Sequence, residues 1–176
     1  MPKTKKYRTM RMHFVLLLLL LAFFMGINIG GYFAIPSAIG SATDYSVGTN
    51  GYVPVRINVV GSDLIMASDC YTLRVTVSEI QALSIANGLE KRIDTRPLTH
   101  DIMKDIFDNY NMKILAARIN FFENGIYYGD LVLQQANKVL SIDARPSDAI
   151  AIAVRYDVPV HFNESLLMQQ GTKTCP

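Results

Sequence analysis

Two short stretches hold most of the side chains able to do chemistry. One reads Arg96-Pro97-Leu98-Thr99-His100-Asp101. The other reads Ile142-Asp143-Ala144-Arg145-Pro146-Ser147-Asp148-Ala149-Ile150-Ala151. Aspartate and histidine can move protons or hold a divalent cation such as Mg, and arginine can grip a phosphate through two parallel hydrogen bonds. His100, Asp101, Asp143 and Asp148 are therefore candidate catalytic or cation-binding groups, with Arg96 and Arg145 as candidate substrate-binding groups. Tyr127 and Tyr128 are candidates for stacking on a base. Each residue also has a plainer use. Asp101 and Asp148 stand where carboxylates stabilise the free amides of a helix start. Ser147 suits a cap better than a nucleophile. Asp143 and Arg145 flank a strand-to-helix turn that they could lock by pairing, and adjacent strand tyrosines ordinarily divide between core and surface. There is no His-Glu-x-x-His, no cysteine pair at metal-ligand spacing and no glycine-rich phosphate loop.

Both motifs open helices beside apolar runs, where an unpaired charge is costly. The two are expected to meet as one polar cluster, Arg96 with Asp143 or Asp148 and Arg145 with Asp101.

The elements that must position them follow from periodicity. Tyr52–Val60 alternates as a strand, Pro54 marking an edge. Segments 64–67 and 71–77 form a hairpin. Ser78 caps a helix that Gly88 stops, with Ile80, Leu83 and Asn87 or Ala86 inward. Thr99 caps the next, whose stripe Ile102, Met103, Ile106, Phe107 and Tyr110 turns Asp101, Lys104, Asp105 and Asp108 outward. Leu115, Ala117, Ile119 and Phe121 alternate along a strand, Asn124-Gly125 turns it, and segments 126–133 and 138–142 complete an antiparallel meander. Ser147 caps a helix that is apolar all round over 149–154. A strand at 158–162 and a short helix at 164–168 end the domain. This order predicts an α+β fold, a mostly antiparallel sheet layered with helices.

Ahead of this domain the composition changes. Residues 1–11 carry Lys3, Lys5, Lys6, Arg8 and Arg11 with no acid, and residues 14–43 carry no charge. Residues 14–33 are long enough for one N-terminal transmembrane helix, and the basic flank places the N-terminus in the cytoplasm and the domain outside. A cleaved signal peptide followed by secretion is the alternative. The chain thus divides into a basic tail and signal anchor at 1–33, a flexible linker at 34–51, the domain at 52–168 and a tail at 169–176. Five of the 17 Lys and Arg lie in the tail, leaving twelve against 15 acids, a net charge of −3 on the rest. That balance argues against tight nonspecific binding to nucleic acid. Cys70 and Cys175 are isolated and read as independent thiols, with pairing in an oxidising compartment the alternative.

The two motifs, with the run from Gly125 to Leu133 between them, resemble the bifunctional nuclease domain family over roughly residues 53–167. One departure is Val77-Ser78-Glu79-Ile80-Gln81-Ala82, where only Glu79 matches the acidic run of the family. The resemblance implies an α+β fold, a homodimer, and hydrolysis of phosphodiester bonds in DNA and RNA. A noncatalytic, membrane-tethered dimerisation or ligand-binding module of the same fold is the second reading.

Overall fold

The computed structural model describes residues 47–176. The predicted anchor and most of the predicted linker lie outside them. No helix among the described residues is long and apolar enough to cross a membrane.

Two antiparallel ribbons form from neighbouring segments. The first joins β1 (Tyr52–Val60), β2 (Asp63–Ala67) and β3 (Tyr71–Thr76). The second joins β4 (Met112–Glu123), β5 (Ile126–Gln135) and β6 (Lys138–Ala144). The β4–β5 turn puts Asn124 and Gly125 at φ 51° and 81°, the left-handed region that Asn-Gly tolerates. The ribbons are joined by β7 (Val160–Asn163), which runs parallel to β4 and antiparallel to the first half of β1. With β8 (Thr172–Lys173) on β3, the order is β6-β5-β4-β7-β1-β2-β3-β8. The fold is α+β with a mostly antiparallel sheet, as expected.

Pro54 does not mark an edge. It opposes His161 of β7, so β1 is an interior strand. The sheet's edges are β6 and β8, and β6 exposes Val139, Leu140 and Ile142. Register shifts between Ile114 and Ala116 and between Ile119 and Phe121 also break the simple alternation expected of β4. Each shift changes which face the next residue meets, so Ile114, Ala117 and Ile119 are core while Phe121 is exposed.

The helices are α1 (Glu79–Leu89), α2 (Thr99–Asn109), α3 (Pro146–Arg155) and α4 (Glu164–Gln170). As predicted, α3 is buried over 149–154, packed against β4, β5, α1 and α2. Its Ile150 and Ile152 join Ile85, Leu131, Leu133 and Phe162 in the core, each worth about 1.5–3 kcal/mol of burial. The helix α1 turns inward only part of the face expected. Ile80 is 76% exposed and Leu83 is exposed, whereas Asn87, as expected, is buried together with Ala82, Ser84, Ile85 and Gly88. The cause is close approach. A Cβ on Gly88 would lie 2.6 Å from Val154 and 2.9 Å from the Arg155 guanidinium. Small residues therefore win the face against α3, and α1 continues past Gly88 rather than stopping there.

Two caps also differ. Leu98 rather than Thr99 is the cap residue of α2, and Arg145 rather than Ser147 that of α3, with Pro146 in the first turn, where a missing amide costs nothing. Ser78 does cap α1, its hydroxyl accepting the Gln81 amide while the Gln81 side chain accepts the Ser78 amide at 3.0 Å. Cys70 and Cys175 are not independent thiols. They are disulfide-bonded, with Cα atoms 4.7 Å apart. The pairing of β8 with β3 brings them together, and it makes the last residues part of the sheet.

Candidate functional site

A cavity of about 620 Å³ opens where the N-terminal ends of α1, α2 and α3 meet the end of β6. Its walls are largely apolar, with Met103 and Phe107 from α2, Leu131 from β5 and Ile142 from β6. Its polar end is built by four side chains from three segments. His100, in the first turn of α2, places Nε2 3.5 Å from Asp148 Oδ1 in the first turn of α3. Asp148 also accepts Arg145 Nε at 2.7 Å and Nη2 at 3.2 Å. On the other edge of the imidazole, Ser84 Oγ lies 2.8 Å from Nδ1. Burial holds the His100 pKa below its ordinary value. Asp148 opposes that effect, and the Arg155 cation adds to it. A neutral imidazole is thus presented to the cavity. The Arg145 side chain is 72% exposed and leaves its remaining donors to solvent.

The expected meeting of the two motifs therefore occurs, through other pairs than those expected. Arg145 pairs within its own motif, with Asp148. Arg96 is exposed and forms no ion pair among the described residues, and it does not line the cavity. Asp143 sits opposite Asp130 in the β5–β6 ladder, while its neighbour Ile142 sits opposite Leu131. Strand alternation sends the Asp143 side chain to the other face of the sheet from Ile142, where Asp130 pairs with Arg118 and Ser141. Asp143 thus reaches the cavity rim through its place in the chain.

Asp101 was expected to face outward and is instead 7% exposed. One carboxylate oxygen accepts the Leu98 amide at 2.8 Å, closing the start of α2, and the other accepts Arg155 Nε at 2.8 Å. Burial by itself would raise its pKa. The Leu98 amide and the Arg155 guanidinium outweigh that and hold it below the ordinary carboxylate value. The two tyrosines do divide between faces. Tyr127 packs on Phe122 and edge-on to core Phe162, and Tyr128 stacks on Phe121. Neither lines the cavity.

Three residues had no sequence signal. Ser84 is a serine inside a helix, where nothing distinguishes a ligand of His100 from a solvated polar face. Gln81 accepts the Ser78 amide, and its own side-chain amide donates to Ser147 Oγ at 2.9 Å, which ties the start of α1 to that of α3. Arg155 ends α3 as a dipole-compatible cation. Its guanidinium turns inward to Asp101, to the Ala151 and Ser84 carbonyls at 2.7 and 3.0 Å, and to Ser84 Oγ at 3.4 Å.

Among the described residues, no three His, Cys, Asp or Glu side chains gather to hold a metal ion. His100 and Asp148 offer two donors, and Arg145 already neutralises the carboxylate. This donor set does not fit a resident divalent cation.

Comparison with known proteins bears on what this cavity does. The family model described as the bifunctional nuclease domain matches residues 64–174. An uncharacterized protein of Mycobacterium tuberculosis is 34% identical over 99 residues, 56% of this chain and 58% of that protein. Bifunctional nuclease 2 of Arabidopsis thaliana is 28% identical over 104 residues, 57% of this chain and 32% of that protein. Bifunctional nuclease 1 of Oryza sativa subsp. japonica is 28% identical over 116 residues, 64% of this chain and 33% of that protein. The chain spans less than two thirds of the length of each of these relatives. The family match takes in all four helices, both motifs and every wall of the cavity, and the chain belongs to the bifunctional nuclease domain family.

Proposed function

We propose that this protein hydrolyses phosphodiester bonds in DNA or RNA at the His100–Asp148 cavity. The observation that carries the reading is convergence: two motifs some 45 residues apart in the chain put His100, Asp148 and Arg145 at one end of a cavity. Phosphodiester hydrolysis needs a proton acceptor for the attacking water and a cation or hydrogen-bond donors for phosphate charge. Asp148 supplies the proton acceptor, and His100 beside it a neutral imidazole facing the cavity. Arg145, exposed at the rim and oriented by Asp148, supplies the donors for a phosphate oxygen. The apolar walls suit a sugar or base on either side of the scissile bond.

The full-length protein, offered labelled single-stranded DNA and RNA with and without Mg, is expected to cut at least one of them. Intact oligonucleotides under every condition would sink the proposal. They would leave the noncatalytic ligand-binding module, which the domain's net negative charge favours.

We further propose that the domain works outside the cytoplasm, tethered by residues 14–33. The Cys70–Cys175 bond supports this, because disulfides persist in oxidising compartments and are rare in a reducing cytosol. Alkylating intact cells before lysis should recover the protein with both cysteines protected as the disulfide. Recovery with both cysteines alkylated would put the domain on the reducing side.

A further inference from the structure

We infer that Ser84 and Arg155 are positioning residues that set which ring nitrogen of His100 carries the proton. The catalytic meaning of this rests on the nuclease reading above; the proton's position does not. Ser84 is 3% exposed on the inner face of α1, and its hydroxyl has one proton to give and lone pairs to receive with. Arg155 has only donors. Its Nη2 points at Ser84 Oγ from 3.4 Å, so that contact uses a lone pair of the hydroxyl. The guanidinium is fixed there by Asp101 and by the Ser84 and Ala151 carbonyls.

Among the described residues the one acceptor bonded by the Ser84 hydroxyl is His100 Nδ1, at 2.8 Å. The hydroxyl therefore donates to Nδ1, and the neutral ring carries its proton on Nε2. That nitrogen faces the cavity and Asp148 Oδ1, 3.5 Å away. The direction of the chain is thus Arg155 to Ser84 to His100 Nδ1, and from Nε2–H outward.

This divides the labour between the two cavity residues. In this tautomer Nε2 has no lone pair with which to take a proton from water. His100 instead presents an N–H that can donate a hydrogen bond to a phosphate oxygen. The Asp148 carboxylate is the group able to accept a proton. Neither Ser84 nor Arg155 touches the substrate in this scheme.

Nitrogen-15 NMR of histidine-labelled full-length protein, with the His100 signals assigned by loss in His100→Gln, reads the tautomer directly near neutral pH. Wild type should show the Nε2–H form. Ser84→Ala should show a mixture of tautomers, and Ser84→Thr, which keeps the hydroxyl, should restore the single form. A wild-type Nδ1–H tautomer, or a Ser84→Ala population identical to wild type, overturns the inference. Ser84→Ala should also lower kcat by roughly tenfold or more with KM little changed, as when a catalytic histidine loses its orienting partner. An Nε2–H tautomer that depends on Ser84 in a protein that cuts no nucleic acid would uphold the positioning roles and reject the nuclease reading.

Discussion

Asp101→Asn is expected to lower the unfolding free energy by about 3–5 kcal/mol at neutral pH, the cost of leaving a buried cation without its counter-charge. The Arg155 side chain is 4% exposed and that of Asp101 is 8% exposed, so water cannot replace the lost carboxylate. The substituted amide would still occupy the space. A large loss would therefore report charge rather than packing. The pH dependence supplies the control. The folded pKa of Asp101 lies below its ordinary value, so its contribution is present above the unfolded carboxylate pKa of about 3.9 and is lost as pH falls through the folded value. Wild type and variant should converge in strong acid and separate on returning to neutrality. Denaturant titrations at several pH values measure this. A gap below about 1 kcal/mol at neutral pH, the range of exposed ion pairs, would mean that the guanidinium finds another partner or reaches water.

His100→Ala is expected to cut hydrolysis by about 10²–10³-fold, the usual cost of losing one hydrogen-bond donor to the developing charge, while the melting transition stays cooperative. His100 is held by polar contacts at the mouth of a cavity, so its removal opens space that water can enter. The informative companion is Asp143→Asn. Asp143 belongs to the same motif as Asp148, but strand alternation puts it on the other face of β6 from the cavity wall Ile142. Its substitution should leave the rate within a few-fold of wild type. Single-turnover cleavage of one labelled oligonucleotide by all three proteins decides the matter. Equal loss from both variants would place the reacting phosphate on the other face of the sheet and remove the cavity from the mechanism.

The strands and helices were legible because their signals are local. Ser78 caps α1, Asn124-Gly125 turns β4 into β5, and an all-apolar α3 can only be buried. Long-range partners were not legible. Pro54 looks like an edge residue until β7 arrives from the other end of the chain to pair with it. An aspartate in a first helical turn has a sufficient local explanation, which hides the arginine 54 residues later that makes Asp101 a core residue. Ile80 and Leu83 were misassigned to the inner face of α1 because hydrophobicity was the wrong criterion, while Asn87 was placed there correctly. Where α3 comes close enough to exclude a Cβ at Gly88, volume decides, and Ile80 and Leu83 are displaced outward. The site fared similarly. That the two motifs meet followed from the cost of stranded charges near an apolar helix, but the pairs expected to join them, Arg96 with Asp143 or Asp148 and Arg145 with Asp101, were not the His100–Asp148 contact that does. That Ser84 completes the set required knowing where α1 lies. The face of Asp143 required knowing the register of β6.

The placement of β7 has a consequence for the order in which the chain can assemble. The ribbons β1–β2–β3 and β4–β5–β6 each close through short turns and can form as soon as they are made. Neither contacts the other through a strand until Val160–Asn163 enters between β4 and β1. Val55 and Val160 are more than a hundred residues apart, so during synthesis at about 5–20 residues per second half of β1 waits on the order of 5–20 s with its backbone unpaired. The cavity waits with it, because α3 is delivered by the same late segment of the chain. The two ribbons therefore come first and the central strand that joins them afterwards, with only the short edge strand β8 still to follow, and the interval before that strand arrives is when the open edges of both ribbons are exposed to the wrong partners.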